Sequence, residues 1–406
     1  MRRNILVERL NATPMDERPY EIVERKGLGH PDYIADSIAE VVSRALCKYY
    51  LDRYGVILHH NVDKVLVVGG EARPEFRGGQ VVRPIYVLVA GRVTTEVETE
   101  SGRESVPVGS IILSSSKRWL RENFRFLDPE SHVIIDYKVG RGSTDLVSMY
   151  KRGLSQVPLA NDTSLGLSFA PLSTTERLVL EVERYLNSPD LKKRLPQVGE
   201  DVKVMAFRRG AEVRLTVAAA IISRLVADKD EYFSVKEEIK EEVLKLATKI
   251  APDYDVSVDV NTADDPSDPS SLYLVVTGTS AEHGDDGATG RGNRVHGLIT
   301  PMRPMSLEAT AGKNPVSHVG KIYNVLASVA AERIAAVDGV REAYVEVLSQ
   351  IGKPIDQPQV ALVSLVVEEG ASFNSAKYES EAILDDLLSD VTKLTGEIVE
   401  GRVGLF

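Results

Sequence analysis

Short runs in which apolar and polar residues alternate recur along most of this chain of 406 residues. Clear examples are RPIYVLVAGRV at residues 83–93, YDVSVDVN at residues 254–261 and QVALVSLVVEE at residues 359–369. A period of two predicts β-strands that bury one face of a sheet, because successive side chains point to opposite faces. Long amphipathic segments lie between these runs. The sequence therefore predicts an α+β fold in which helices cover one face of mixed sheets.

Local signals place the ends of several elements. Ser173 with Glu176, and Ser234 with Glu237, each form the Ser-x-x-Glu pattern whose side chains cap the first turn of a helix. The segment 279–314 is rich in glycine and charge and lacks helical periodicity, so we expect a long functional loop there. Further helices are predicted over 31–55, 317–336 and 377–394, and strands over 63–70, 83–93, 131–140, 211–222, 254–261, 271–278, 343–351 and 359–369.

The length and composition limit the class of protein. A chain of 406 residues exceeds the size of one hydrophobic core, so two or three domains are expected. No apolar run approaches the roughly 20 residues of a membrane span, and the N-terminus lacks a secretory signal, which predicts a cytoplasmic protein without membrane association. The single cysteine, Cys47, agrees with a reducing compartment. The net charge of −11 argues against nucleic-acid binding, which needs a basic surface.

The segment GHPDYIAD at residues 29–36 places a histidine and two carboxylates at the start of the first predicted helix. Pro31 suits the first helical position, where its missing N–H would have no partner. Asp32 and Asp36 are four residues apart, so both project from one face and could hold the same divalent cation. His30 precedes a helix N-terminus, which favours anions. The alternative is an ordinary helix start with an incidental histidine.

A second candidate is the loop GDDGATGRGNR at residues 284–294. Glycines let backbone N–H groups approach phosphate oxygens, Asp285 or Asp286 could ligate a metal, and Arg291 could clamp a phosphate. The loop lacks the Gly-Lys-Ser/Thr ending of a Walker A motif, and so does the later GKNP at residues 312–315. A flexible surface loop is the alternative.

Three further charged residues are weaker candidates. Lys203 begins a β-run beside Asp201, Lys313 precedes Asn-Pro, and Asp145 follows a glycine-rich turn. When each residue is considered alone, a surface salt bridge for Lys203, a solvated turn for Lys313 and an acidic first helical turn for Asp145 are the favoured explanations. The seven histidines show no zinc-site spacing, and no Gly-x-Ser-x-Gly elbow is present.

Together, GHPDYIAD at 29–36, GEDVK at 199–203 and GDDGATGRG at 284–292 resemble the S-adenosylmethionine synthetase (methionine adenosyltransferase) family. That family carries a GHPDKIAD segment, a Gly-x-Asp-x-Lys segment, a Gly-Asp-x-Gly-x-Thr-Gly-Arg-Lys loop and a later Gly-Lys-Asp-Pro. Weaker similarities at 65–71 and 161–179 extend the match to about two-thirds of the chain.

Three departures from the family pattern are systematic. Tyr33 and Gly292 stand where the bacterial and eukaryotic pattern has lysine, and GKNPVSHVGK at residues 312–321 replaces a run with further lysine and aspartate. These differences resemble the archaeal branch. Arg294, His318 or Lys321 could supply the missing positive charge.

The resemblance implies that methionine sulfur attacks C5′ of ATP and expels tripolyphosphate, which is then hydrolysed to pyrophosphate and phosphate. It implies Mg²⁺ as cofactor, with two ions per site, and leaves a requirement for K⁺ open. By this resemblance His30, Lys203 and Arg291 would be catalytic. Asp32 and Asp285 would bind the metal, and Glu24 and Asp145 would bind methionine. ATP and its phosphates would be bound by Asp201, Gly287, Gly290, Arg291, Lys313, His318 and Lys321.

The resemblance also implies three similar α+β domains in a pseudo-threefold arrangement, with interleaved segments. These would be 1–20 with 165–278, 21–130 with 279–313, and 131–164 with 314–406. A homodimer with active sites between its subunits would follow. Two other functions fit the residues: a different Mg²⁺-dependent ATP-using phosphotransferase, and a nucleotide-sensing oligomer without turnover.

Overall fold

The computed structural model describes residues 3–100, 102–142 and 157–406. The helices are α1 (Pro31–Tyr54), α2 (Val108–Asn123), α3 (Thr174–Leu186), α4 (Pro189–Arg194), α5 (Lys229–Ile250), α6 (Val319–Ala335), α7 (Phe373–Ser389) and α8 (Lys393–Glu400). The strands are β1 (Ile5–Arg9), β2 (Tyr20–Lys26), β3 (His60–Val68), β4 (Glu71–Glu75), β5 (Gly78–Arg83), β6 (Ile85–Val93), β7 (Glu96–Thr99), β8 (Gly102–Ser105), β9 (Val133–Gly140), β10 (Leu165–Ala170), β11 (Val198–Arg209), β12 (Glu212–Ile222), β13 (Asp255–Val260), β14 (Leu274–Val275), β15 (Gly287–Ala288), β16 (Val340–Leu348) and β17 (Val360–Val367).

Three larger sheets carry the fold, and helices pack on each of them. The first sheet has the order β13-β12-β11-β2, with β14 beside β12, and packs on α3 and α5. The second sheet, β15-β3-β6-β9, packs on α1 and α2. The third sheet, β1-β17-β16-β10, packs on α6 and α7. Parallel and antiparallel pairs occur within each sheet, so the predicted α+β class with mixed sheets is confirmed.

Strand pairing joins segments that are far apart in the sequence. β1 and β10 pair with the strands at 340–367. β2 pairs with β11 in the first sheet, and β9 pairs with β6 in the second. Alternation in a sequence indicates which face a strand buries but not which strand lies beside it. The predicted domain bounds and the pseudo-threefold relation between the units stay predictions.

Most predicted helix ends are confirmed. α1 starts at Pro31 and ends where Gly55 adopts φ 71°, a left-handed conformation that glycine tolerates. The capping box of Ser173 and Glu176 forms as expected. The second predicted capping box is wrong, because Asp228 accepts the N–H of Glu231 and starts α5 before Ser234. No described helix is long and apolar enough to cross a membrane.

The face of each sheet opposite its helices keeps apolar side chains in solvent. On the first sheet, Tyr20, Ile22 and Phe207 are exposed, and Ile22 lies directly across from Phe207. On the second sheet, Leu66, Val68 and Ile134 are exposed. Contiguous apolar patches of this kind mark interaction surfaces in soluble proteins.

Arg303 joins α3 to the third sheet through a buried charge network. Its Nε lies 2.7 Å from Oε1 of Glu176, and Nη1 donates to the hydroxyl of Tyr344 at 2.9 Å. The guanidinium also stacks over the ring of Phe169, 4.2 Å from its centre. Burial raises the pKa of Glu176 to about 6, despite the opposing charge of Arg303.

We expect Arg303→Met to lower the free energy of unfolding by about 3–5 kcal/mol, because Glu176 and Glu342 would lose their buried cation. Arg214→Met is the matched control, since Arg214 pairs with Asp259 in solvent and its loss should cost less than about 1 kcal/mol. Denaturant unfolding of both variants measures the difference. Equal losses would contradict this account.

Candidate functional site

A glycine turn between β2 and α1 sets the geometry of the site. The N–H of Gly27 donates to the Val202 carbonyl at 2.8 Å, and that of Gly29 to the Glu200 carbonyl at 2.9 Å. A Cβ at either glycine would lie 2.3 Å from backbone atoms of β11, so no larger residue fits. The turn therefore holds the start of α1 directly against β11.

His30 is the N-cap of α1 and lies among four charged groups. Its Nδ1 accepts the N–H of Asp32 at 3.1 Å, so the neutral ring carries its proton on Nε2. Burial lowers the pKa of His30, although Asp201 and Asp32 oppose the shift, and Lys26 and Lys203 add to it. The ring is thus neutral at pH 7 and offers one N–H donor at a helix N-terminus.

Both carboxylate oxygens of Asp32 accept hydrogen bonds. The N–H of Ala288 donates to Oδ1 at 2.9 Å, and the ammonium of Lys26 lies 2.8 Å from Oδ2. Burial works in the opposite direction, but these hydrogen bonds hold the pKa of Asp32 below its usual range. The carboxylate is therefore charged and points at the glycine-rich loop.

Asp36, one turn further along α1, behaves differently. Burial raises its pKa to about 7, although the N–H of Gly290 donates to its Oδ1 at 2.9 Å. The two carboxylates that the sequence places on one face thus differ in charge near neutral pH.

The glycine-rich loop lies across the start of α1, as the sequence predicted for a joint site. A Cβ at Gly287 would lie 2.2 Å from the carbonyl carbon of Pro31, so the loop backbone packs closely on the helix. The carbonyl of Arg291 accepts a hydrogen bond from Lys26, while the Arg291 side chain is exposed. Asp285 is exposed, and Asp286 accepts the N–H of Gly69.

Lys203 and Asp201 of β11 complete this group of residues. The ammonium of Lys203 lies 3.1 Å from Oε1 of Glu24 on the neighbouring strand. Asp201 is buried and accepts the N–H of Ser280 at 2.9 Å. We call His30, Asp32, Lys26, Asp201 and Lys203 the first cluster.

The remaining basic candidates form a second cluster, made of Lys313, His318 and Lys321. Lys321 is fully buried, with Nζ 2.6 Å from Oε2 of Glu40. Lys313 pairs with Glu308 at 2.6 Å, and His318 caps α6. Glu40 is eight residues beyond Asp32 on α1, about 12 Å along the helix axis.

Asp145, predicted to bind methionine, lies outside the described residues.

A cavity of 780 Å³ adjoins the second cluster. It is lined by His318 and by the polar side chains of Asn61, Lys64, Arg92 and Lys138, among others. Burial first, and then the charges of Lys313 and Lys321, hold the pKa of His318 far below its usual value. His318 therefore faces this cavity as a neutral ring, together with the cations of Lys64, Arg92 and Lys138, whereas Lys313 and Lys321 are buried.

Sequence reasoning missed Lys26 of the first cluster and also Asn293, which contacts it. Asn293 accepts the N–H of Lys26 at 3.0 Å and donates to its carbonyl at 2.8 Å, which ties the loop to β2. The only signal for Lys26 was a charge next to a Gly-x-Gly turn. Nothing in the sequence distinguished Asn293 from an ordinary loop residue.

We expect the free energy of unfolding to depend on the protonation of Asp36. Its raised pKa means that the folded state binds an extra proton, so stability falls as the pH rises from 3.8 to about 7. Relative to Asp36→Asn, the wild-type protein should lose up to about 4 kcal/mol over this range, at about 1.4 kcal/mol per pKa unit. Urea unfolding at several pH values tests this, with Asp52→Asn on the exposed face of α1 as control. A constant difference between wild type and Asp36→Asn would contradict it.

Comparisons with known proteins identify the family of this chain. The family model described as S-adenosylmethionine synthetase (AdoMet synthetase) matches residues 3–402. An S-adenosylmethionine synthase of Hyperthermus butylicus is 60% identical over 410 residues, and that of Sulfurisphaera tokodaii is 57% identical over 405 residues. Each comparison covers 100% of both chains.

One solved structure shows the same fold at low sequence identity. An unusual S-adenosylmethionine synthetase from Campylobacter jejuni matches with a TM-score of 0.55 at 14% identity. The match covers 93% of this chain and 100% of that one. The family model and the archaeal relatives together confirm the resemblance found in the sequence. The chain belongs to the S-adenosylmethionine synthetase family.

Proposed function

We propose that this protein forms S-adenosylmethionine from ATP and L-methionine, by attack of the methionine sulfur on C5′ of ATP. Tripolyphosphate would leave and then be hydrolysed to pyrophosphate and phosphate. The observation that carries the proposal is the neutral His30, whose Nε2–H lies at a helix N-terminus beside the ammonium groups of Lys26 and Lys203. A thioether has no proton to lose, so this reaction needs positioning and leaving-group stabilisation rather than a general base.

The first cluster supplies groups for each part of the substrate. His30 would donate to the oxygen that leaves C5′, and Lys203 would stabilise the charge that develops there. Arg291, exposed at the loop, would bind the phosphate chain, and the N–H groups near Gly287 and Gly290 would support it. Asp201 would contact the adenosine, and Glu24, which lies beside Lys203, would contact methionine.

The donors present fit Mg²⁺ bound together with the triphosphate. Mg²⁺ usually takes one or two carboxylates, phosphate oxygens and water. Asp32 and Asp285 would be those carboxylates. The described part of the chain groups no three His, Cys, Asp or Glu side chains that could hold a metal without other ligands. When bound, Mg²⁺ would neutralise negative charge on the phosphate oxygens. A requirement for K⁺ stays a prediction of the family resemblance.

A second copy of the chain would complete the site. Glu24 and Lys26 lie on the open face of the first sheet, in line with the exposed Tyr20 and Ile22 of the same strand. Covering this apolar face by a partner would bury the site and bring other groups to it. We propose that the second cluster of the partner meets the phosphates there through Lys313 and His318, while the buried Lys321 neutralises Glu40.

The products of the reaction test the proposed activity. With ATP, methionine and Mg²⁺, we expect S-adenosylmethionine, pyrophosphate and phosphate, measured by mass spectrometry and phosphate assay. Formation of ADP would favour a phosphotransferase instead. Binding of ATP without methionine-dependent release of pyrophosphate would favour a nucleotide sensor.

The shared site predicts complementation between two inactive variants. His30→Asn and Lys313→Met should each lower turnover at least about a hundredfold, because each removes charge stabilisation of the leaving group. Randomly paired subunits of the two variants should recover about a quarter of wild-type activity, since half of the dimers carry one intact site of two. His30→Asn paired with Lys203→Met is the control and should recover nothing. No recovery in the first pair would contradict a site shared between subunits.

A further inference from the structure

Lys26 and Lys203 lie directly opposite each other on the antiparallel strands β2 and β11. Side chains in such a position point to the same face, with Cβ atoms about 5 Å apart. Both ammonium groups are on the open face of the first sheet, where the Lys26 side chain is 14% exposed and that of Lys203 is 39% exposed. Like charges in this position are unfavourable for a sheet, so the pair gains nothing for folding.

Each ammonium has a carboxylate partner of its own. Lys26 contacts Asp32 at 2.8 Å and also donates to the Arg291 carbonyl at 3.0 Å. Lys203 contacts Glu24 at 3.1 Å. His30 is close to the first of these pairs, because its Nδ1 lies 3.9 Å from Oδ2 of Asp32, the oxygen that Lys26 contacts. The paired cations therefore lie next to the group proposed to meet the leaving oxygen.

Two other basic residues that the sequence offered for phosphate binding, Arg294 and Lys321, contact groups of the protein instead. The guanidinium of Arg294 donates to the carbonyls of Gly290 and Gly292. Lys321 is buried against Glu40. Tyr33 and Gly292 cannot supply a positive charge for phosphate either. The Tyr33 ring packs on Phe406, and a Cβ at Gly292 would lie 2.9 Å from Oδ2 of Asp36.

We propose that Lys26 and Lys203 form a paired clamp for the polyphosphate chain, and that Lys26 is released from Asp32 when polyphosphate binds with its divalent cation. The inference rests on the proposed function for the identity of this ligand. In the empty site, the Lys26 ammonium balances the Asp32 carboxylate. A divalent cation takes over that carboxylate, and the freed ammonium moves to a phosphate oxygen. Both charges stay neutralised throughout the exchange.

If this exchange occurs, replacing Lys26 should weaken the binding of tripolyphosphate and strengthen the binding of a divalent cation. Lys26→Met removes a phosphate ligand and should weaken tripolyphosphate binding at least tenfold. The same change frees Asp32 and should tighten Mn²⁺ binding to the nucleotide-free protein at least threefold. A purely structural role for Lys26 would weaken both or neither. Lys26→Arg keeps the charge and should stay within threefold of wild type for both ligands.

Calorimetric titration with the diimido analogue of tripolyphosphate, which resists hydrolysis, in the presence of Mg²⁺ measures the first affinity. Electron paramagnetic resonance of free Mn²⁺ measures the second. Lys48→Met is the control, because Lys48 is exposed on α1 about 24 Å along the helix from Asp32 and should behave as wild type. Circular dichroism checks folding, and Lys26→Gln replaces Lys26→Met if the latter does not fold.

Unchanged tripolyphosphate affinity in the Lys26 variant would overturn the clamp, and weaker Mn²⁺ binding would overturn the exchange at Asp32. Neither titration depends on turnover. If the wild-type protein forms no S-adenosylmethionine, the proposed function fails, while the two titrations still decide the role of Lys26.

Discussion

The packing of the Gly27–Gly29 turn against β11 is the constraint on which the candidate site depends. Two backbone hydrogen bonds join this turn to β11, and no side chain fits between them. Because of this contact, a helix that belongs to the second sheet starts beside a strand of the first sheet. His30, Asp32, Asp201 and Lys203 meet only at that junction. The geometry of the candidate site is thus a property of the interface between two layers rather than of either layer alone.

Charge balance shapes the site as strongly as packing does. Its cations and carboxylates are paired in the structure, as Lys26 with Asp32, Lys203 with Glu24, and Lys313 with Glu308. An unpaired charge in such partly buried positions would cost several kcal/mol, so each ion needs a partner before substrate arrives. A polyanion with a divalent cation can replace these internal partners without leaving any charge unbalanced. This explains how one surface can hold many ions and still bind a highly charged ligand.

Several parts of this arrangement could be predicted from local sequence. The start of α1 at Pro31, the capping box at Ser173 and the loop character of 279–314 follow from short-range rules, and the structure confirms them. The start of α5 was predicted incorrectly, and the pairing of β1 with β17 was not predicted. Alternation does not encode a strand's partner, and an aspartate six residues earlier supplied a competing cap. Lys26 was missed because its role arises from a cross-strand neighbour that is far away in the sequence.

The sequence by itself determined the α+β class, the family and the residue types available for phosphate and metal chemistry, because short motifs and periodicity are local properties. Only the tertiary structure decided which of those residues meet. It placed His30 with Lys203 and Lys26, and it separated Lys313, His318 and Lys321 into a second cluster around Glu40. The reason is physical: side-chain proximity across sheets depends on strand pairing and on close backbone contacts, which no spacing along the chain specifies.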